Sequence, residues 1–287
     1  ISGTTQLLGI IGDPVGHSLS PTMHNRAIAV MGLDFAYIPF RVAPQNLADA
    51  IAGLTALGVV GFNATIPHKQ AILPFLAEIS AGAKAVGAVN TVWRNDAGWA
   101  GTNTDVDGFV APLQNLDRDW SQQKALILGY GGAARAVVVG CDRLGVKEIG
   151  IIGRNPDKLQ QFLSSWDAAN LNTPLRGYLW GNLTEALPYA NLLVNATPIG
   201  MEPEVDRSPV EAANLATLPI DAIAYDLIYN PRPTQFLALA QKQGAIAIDG
   251  TQMLVRQGAA ALEIWLRRSV PVEEMQAALE EKLANKK

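Results

Sequence analysis

Short apolar runs alternate with helically spaced apolar positions along the whole chain. Runs at Leu8–Ile11, Phe35–Arg41, Val59–Thr65, Val89–Trp93 and Trp99–Gly101 read as strands. Between them, Pro21–Met31, Gln45–Leu57, His68–Leu76 and Ala81–Val86 read as helices. The rhythm continues from Ala125–Leu128, which stops at Gly129-Tyr130-Gly131-Gly132-Ala133-Ala134. A helical segment then runs to Gly145, and a second apolar run covers Ile149–Ile152. Runs at Arg176–Leu179, Asn191–Asn195, Ala222–Leu227 and Ala245–Ile248 complete a set of six, and helices at Met253–Arg268 and Val272–Leu283 close the chain. This alternation predicts an α/β protein with a doubly wound parallel-sheet (Rossmann) nucleotide domain over 106–252. A smaller α/β substrate domain is expected from 1–105 plus 253–287.

The strand–turn–helix beginning at Ala125 carries a cofactor expectation. Gly129 allows a tight exit from the strand, Gly131 lets backbone N–H groups approach a pyrophosphate, and Ala134 is small where helix and sheet pack. The helix start offers unpaired donors and a positive dipole end. A packing turn with no ligand is the alternative. Enzymes using NAD place a carboxylate at the end of the second strand, whereas this chain has Gly153-Arg154-Asn155, with Lys158 one turn on. A guanidinium there suits a 2′-phosphate, so NADP is favoured over NAD, the alternative being two ordinary surface cations.

Composition narrows the remaining classes. At 287 residues, two domains are the natural prior, and with 49% hydrophobic residues each can bury a sizeable core. A net charge of −4 argues against nucleic acid as a partner without excluding an anionic small molecule. The single cysteine, Cys141, allows no disulfide within the chain, and three scattered histidines give no zinc-ligand spacing. No apolar run approaches the ~20 residues of a membrane span, no signal peptide is visible, and cytoplasm is the expected setting.

Three polar stretches in the first hundred residues are candidates for substrate chemistry. In His17-Ser18-Leu19-Ser20-Pro21, Ser20 reads as a helix N-cap with Pro21 at the first helical position, and the two serines either shape a turn or cradle a carboxylate. His17 and His24 read as structural or rim residues. In Asn63-Ala64-Thr65-Ile66-Pro67-His68-Lys69, Lys69 falls in a first helical turn, against its dipole preference. Asp105, in Asn103-Thr104-Asp105, reads on its own as a cap. A Lys–Asp pair could also exchange a hydroxyl proton during alcohol–ketone interconversion, although sequence does not say that the two meet. Near the C-terminus, Met253, Gln257, Ala261 and Trp265 share a helical row, so an amide sits in an apolar stripe. Either a substrate hydroxyl or nearby backbone could satisfy it.

Taken together, these stretches resemble the shikimate dehydrogenase family. The matching motifs are HSLSPTMHN (17–25), NATIPHK (63–69), GAVNT (87–91), NTDVDGF (103–109), GYGGAARA (129–136), NATPIGM (195–201), YDLIYNP (225–231) and QMLVRQGAAALEIW (252–265). The resemblance implies reversible NADP-linked reduction of 3-dehydroshikimate to shikimate, on the route to chorismate and aromatic amino acids. It implies Lys69 and Asp105 as catalytic pair, with Ser18 and Ser20 on the substrate carboxylate, Tyr229 nearby, and Thr65, Asn90 and Gln257 on ring hydroxyls. Lys69 would act as base or as orienting cation. Gly129, Tyr130, Gly131, Gly132, Ala133, Gly153, Arg154, Asn155, Lys158, Thr197, Leu227 and Gly250 would line the NADP site. A small-molecule substrate, a homodimer, and neither nucleic acid nor membrane complete the expectation. The chain departs from the family's usual Asn-Arg-Thr strand ending at Gly153-Arg154-Asn155, has Tyr130 where the family often has Ala, and has Ala81 where some relatives have an acidic residue near the cofactor. Competing readings are an NAD-preferring quinate/shikimate dehydrogenase, a folate-linked dehydrogenase/cyclohydrolase, and a non-catalytic nucleotide- or metabolite-sensing module. The folate-linked class lacks the HSLSP and NTDVDG context, and a sensor need not keep a proton-transfer pair.

Overall fold

The computed structural model describes residues 1–167, 169 and 171–285. The chain forms two compact units, Ile1–Gly108 with Leu254–Lys287, and Phe109–Met253. The first opens with β1 (Gln6–Gly12), α1 (Ser20–Val30), β2 (Phe35–Arg41), α2 (Leu47–Ala56), β3 (Gly61–Ala64) and α3 (His68–Ala71). It continues with β4 (Glu78–Ile79), α4 (Ala81–Val86), β5 (Thr91–Asn95), β6 (Gly98–Thr102) and α5 (Asp105–Gln114), the helix in which the chain passes to the second unit. The sheet order is β2-β1-β3-β5-β6-β4. Strand β1 is parallel to β2 and β3, and its apolar run is buried because such strands are covered on both faces. Strands β3, β5 and β6 pair antiparallel, which sets Asn63 opposite Thr91.

In the second unit, β7 (Lys124–Leu128), α6 (Gly132–Leu144), β8 (Glu148–Gly153), α7 (Pro156–Ser164) and β9 (Leu175–Leu179) precede α8 (Leu183–Ala186) and β10 (Leu192–Asn195). Then come α9 (Ala212–Leu215), β11 (Ile223–Asp226), α10 (Gln235–Lys242) and β12 (Ile246–Ile248). The order β12-β11-β10-β7-β8-β9 with every pairing parallel is the doubly wound arrangement, its reversal lying between β7 and β10. Helix α6 ends at Gly145, whose φ of 73° supplies the left-handed C-cap. Residues 201–207 form a largely exposed loop, and Val210 anchors its far end in the core.

The chain re-enters the first unit within α11 (Thr251–Leu266) and ends with α12 (Val272–Ala284), which packs on α1. Trp265 fixes α11 against the sheet. Its Nε1 donates to the Val92 carbonyl at 2.9 Å, and a Cβ on Gly61 would overlap the indole.

Several local readings change. The helix expected over 68–76 ends at Ala71 and resumes as a 3₁₀ turn at Leu73–Phe75, because Pro74 has no N–H and its ring opposes a continuous ladder. Similarly, α2 starts at Leu47, after a 3₁₀ turn at Pro44–Asn46. Strand β4 is only two residues long, too short for an alternation to register.

Candidate active site

In the first unit, Lys69 and Asp105 meet. Lys69 stands at the second residue of α3 and Asp105 at the first of α5, and Nζ donates to Oδ2 at 2.5 Å with the side chains 18% and 8% exposed. Asp105 is therefore not the N-cap. Its backbone N–H is taken by Asn103 Oδ1 at 3.0 Å, which frees the carboxylate for Lys69, and an acid in a first turn also suits the helix dipole.

Asn90 holds the other carboxylate oxygen, its Nδ2 donating to Asp105 Oδ1 at 2.9 Å. The orientation of its amide follows from chemistry, because Asn90 Oδ1 accepts from the Thr104 backbone N–H at 2.8 Å, a group that can only donate. Asn90 Nδ2 then faces three acceptors, Asp105 Oδ1, Thr104 Oγ1 at 3.0 Å and Gln257 Oε1 at 3.2 Å, with two hydrogens to share. Gln257 Oε1, at the longest of these distances, keeps capacity for another donor. Its Nε2 is spent on the Leu254 carbonyl at 2.8 Å, so the backbone partner weighed for this amide is present for the NH₂ end only.

The network extends into the core. The Tyr37 hydroxyl donates to Asn63 Oδ1 at 2.6 Å, and Asn63 Nδ2 donates to the Asn90 carbonyl at 2.9 Å and to Thr91 Oγ1 at 3.2 Å. Thr91 Oγ1 donates in turn to Asn90 Oδ1 at 3.0 Å. Tyr37 stacks on His24 with centroids 4.1 Å apart. His24 is a core residue, its Nδ1 2.8 Å from the Ser20 carbonyl, and burial lowers its pKa to about 4. Sequence reasoning assigns no role to Tyr37, Asn63, Thr91, Asn103 or Thr104. An Asn inside the wholly buried strand Gly61–Ala64 is the available signal.

Ser18 and Ser20 stand at the head of α1, but Ser20 is not its cap. Leu19 is the N-cap without a side-chain hydrogen bond, Ser20 is the first helical residue, and Ser18 Oγ accepts from the Ser20 N–H at 3.3 Å. The chain is already helical at Leu19 (φ −92°, ψ −2°), which moves Ser20 inside. Thr65 is half-buried between β3 and α3, its methyl occupying the space a Cβ on Gly12 would take.

In the second unit, the glycine turn joins β7 to α6. Gly129 has a φ of 97°, and a Cβ there would lie 3.0 Å from Thr197 Cγ2. Thr197 is held by Asn195 Oδ1, which accepts from its N–H at 3.0 Å and its Oγ1 at 2.7 Å. Asn195 Nδ2 donates to Asp226 Oδ1 at 3.0 Å, and burial pushes the Asp226 carboxyl up to about 6 against hydrogen bonds from Thr234, Ile228 and Asn195. Gly131 caps α6 with no side-chain hydrogen bond, and Gly131 and Gly132 face open space. A bare helix start with backbone donors fits a pyrophosphate. Gly250 is pressed against the Leu227 carbonyl, where a Cβ would overlap the oxygen. Arg154 and Lys158 are exposed, and Asn155 caps α7 by accepting from the Lys158 N–H at 2.9 Å. With Arg154 there and no acidic side chain ending β8, these residues fit a 2′-phosphorylated dinucleotide. Ala133 is half-buried in the first turn of α6, and Tyr229, half-buried after β11, has its phenol pKa raised by burial.

Comparison with known proteins gives a consistent picture. The shikimate dehydrogenase substrate binding domain matches residues 10–92, and the shikimate 5′-dehydrogenase C-terminal domain matches residues 250–280. The shikimate dehydrogenase (NADP(+)) of Trichormus variabilis is 60% identical over 285 residues, 99% of each chain. A crystal structure of shikimate dehydrogenase in complex with NADP+ superposes with a TM-score of 0.86 at 37% identity, covering 99% of this chain and 97% of that one. The Thermus thermophilus shikimate 5-dehydrogenase in complex with NADP(H) and shikimate gives 0.84 at 31% identity, covering 96% and 99%.

Proposed function

The chain belongs to the shikimate dehydrogenase family, and we propose that Lys69 and Asp105 are the proton-transfer pair of its reaction. That reaction is the reversible NADP-dependent reduction of 3-dehydroshikimate to shikimate, a step toward chorismate and the aromatic amino acids. The observation that carries the role of the pair is the 2.5 Å Lys69–Asp105 contact, with the carboxylate fixed on its far side by Asn90.

An ammonium has three N–H donors, and Asp105 takes one. In the reducing direction a second, aimed at the ketone oxygen, stabilises the developing alkoxide and delivers the proton. In the oxidising direction the hydroxyl proton leaves along the same line. Asp105 keeps the amine on that line and stays put because Asn90 is itself locked by Thr104. The spare acceptor capacity of Gln257 Oε1 and the half-buried Thr65 hydroxyl supply contacts for neighbouring ring hydroxyls. Ser18, Ser20 and the uncapped start of α1 suit a carboxylate, and Tyr229 is assigned to the substrate on the family resemblance alone.

NADP supplies the two-electron redox chemistry when bound. Gly129, Tyr130, Gly131, Gly132 and Ala133 would hold its pyrophosphate, and Arg154, with Lys158, its 2′-phosphate. Gly153 and Asn155 flank that charge, while Thr197, Leu227 and Gly250 would line the remainder. The unit of Phe109–Met253 is then the nucleotide-binding unit and the other the substrate-binding unit. A homodimer in the cytoplasm completes the reading; the lone cysteine, free and buried, suits a reducing compartment, and light scattering tests the dimer.

Initial rates followed by nicotinamide absorbance, with shikimate and quinate each paired with NADP+ and NAD+, test the assignment. The highest kcat/KM is expected for shikimate with NADP+. Faster turnover of quinate, or with NAD+, overturns it.

A further inference from the structure

The second residue of the glycine turn and the last residue of β8 share one volume. Tyr130 follows β7, Gly153 ends β8, and the two strands pair directly, with Leu128 opposite Ile152. A Cβ built on Gly153 would lie 2.5 Å from Tyr130 Cε1 and 2.8 Å from Cδ1, so the phenol ring occupies the place of a side chain at 153. Behind it the ring meets Phe162 of α7 at 6.4 Å between centroids. Phe162 in turn packs edge-on against Trp166, and the Arg135 guanidinium lies 4.4 Å from the Trp166 ring centre. Tyr130 therefore bridges the phosphate turn and the helix that Asn155 caps, and the chain between them is Gly153-Arg154-Asn155.

We propose that Tyr130 is a positioning residue for cofactor choice: its ring, seated on Gly153, fixes the strand end from which Arg154 reaches the adenosine 2′-phosphate. Arg154 is an exposed side chain with long-chain freedom, and a cation of that kind discriminates between ligands only as well as its backbone is held. Tyr130 supplies the hold on one side and the Asn155 cap on the other. Substitution at either member of the Tyr130–Gly153 pair disturbs the same seat, so the two positions are coupled.

The inference rests on the assignment of Arg154 to the 2′-phosphate, and the experiment separates the two. Calorimetric dissociation constants are measured for adenosine 2′,5′-bisphosphate and for 5′-AMP, which differ only in the 2′-phosphate. Wild type binds the bisphosphate more tightly; absence of that preference ends the cofactor assignment itself. Tyr130→Ala is expected to lose roughly tenfold of the preference, a partial loss of one charge-assisted contact, read as the ratio of the two dissociation constants so that any loss common to both ligands at the glycine turn cancels. Tyr130→Phe keeps the ring and should retain the preference. Gly153→Ala alone should lose it, yet cost little further in the Tyr130→Ala background, where the ring no longer blocks a Cβ. An unchanged preference in Tyr130→Ala, a loss in Tyr130→Phe, or additive effects of the two alanines overturns the pairing while leaving Arg154 in its role.

Discussion

Removing the Lys69 amine is the most direct test of the proton-transfer pair. In Lys69→Ala the buried Asp105 carboxylate keeps Asn90 Nδ2 and loses its charged partner. Two costs follow, and they are read by different assays. The carboxylate left under-partnered costs about 1–3 kcal/mol of folding stability, which appears as a lower melting temperature by circular dichroism. The chemical step loses a positioned acid–base group, worth about 10²–10⁴ in rate, or about 3–5 kcal/mol at 1.36 kcal/mol per decade. Steady-state kinetics well below the melting temperature should therefore show kcat reduced by at least about a hundredfold, with KM for shikimate changed much less. Asp105→Asn should lose rate too, because its amide must either present N–H groups to the Lys69 amine or turn them on Asn90 Nδ2. Near-normal kcat in Lys69→Ala, with only weaker substrate binding, would refute the proton-transfer role and leave Lys69 a binding residue.

Gln257→Leu keeps the apolar row of α11 but removes Oε1; KM for shikimate should rise about tenfold, the worth of one hydrogen bond, and an unchanged KM removes Gln257 from the site. Gly61→Ala drives a methyl into the Trp265 indole and should destabilise by about 1–3 kcal/mol in chemical denaturation, an effect absent if the ring has room to move. His24 is buried neutral with its pKa lowered to about 4, so the unfolded chain takes up a proton near pH 6.5 that the folded chain refuses. Its contribution to stability is complete above pH 6.5 and falls by about 3 kcal/mol as pH drops to 4. Asp226, raised to about 6, has the opposite sign: its contribution is complete below the ordinary carboxylate range and is lost as pH rises through 6. Between pH 6.5 and 4 the urea midpoint of His24→Leu should consequently lose less on acidification than that of wild type, and parallel curves exclude the burial argument.

What could be read from the sequence is what neighbouring residues decide among themselves. Helix α4 ends where the pattern says because Ser80 accepts from the Ala83 N–H at one end and Gly87 turns left-handed at φ 67° at the other. The glycine turn, the run Phe35–Arg41 and the stripe of α11 are legible for the same reason. The Ser20 cap failed on a local competition that composition does not settle, since Leu19 enters the helix first, its carbonyl accepts from the Thr22 and Met23 N–H groups, and the Ser20 N–H itself goes to the Ser18 hydroxyl.

The polar network lies beyond such reading because its partners are brought together by strand pairing. Asn63 meets Thr91 through the antiparallel register of β3 and β5, and Asn90 meets Gln257 across 167 positions of chain. Buried amides of this kind cannot be left half-satisfied without a cost of about 1–3 kcal/mol each, so once Asn63 and Gln257 are placed inside, they dictate where the remaining donors and acceptors must stand. Among the described residues, that network ends in the Lys69–Asp105 charged pair, through the Asn90 amide. Tyr130 and Gly153 follow the same logic without polarity. Each is an unexceptional residue alone, and only the parallel pairing of β7 with β8 makes the large ring of one the reason for the missing side chain of the other.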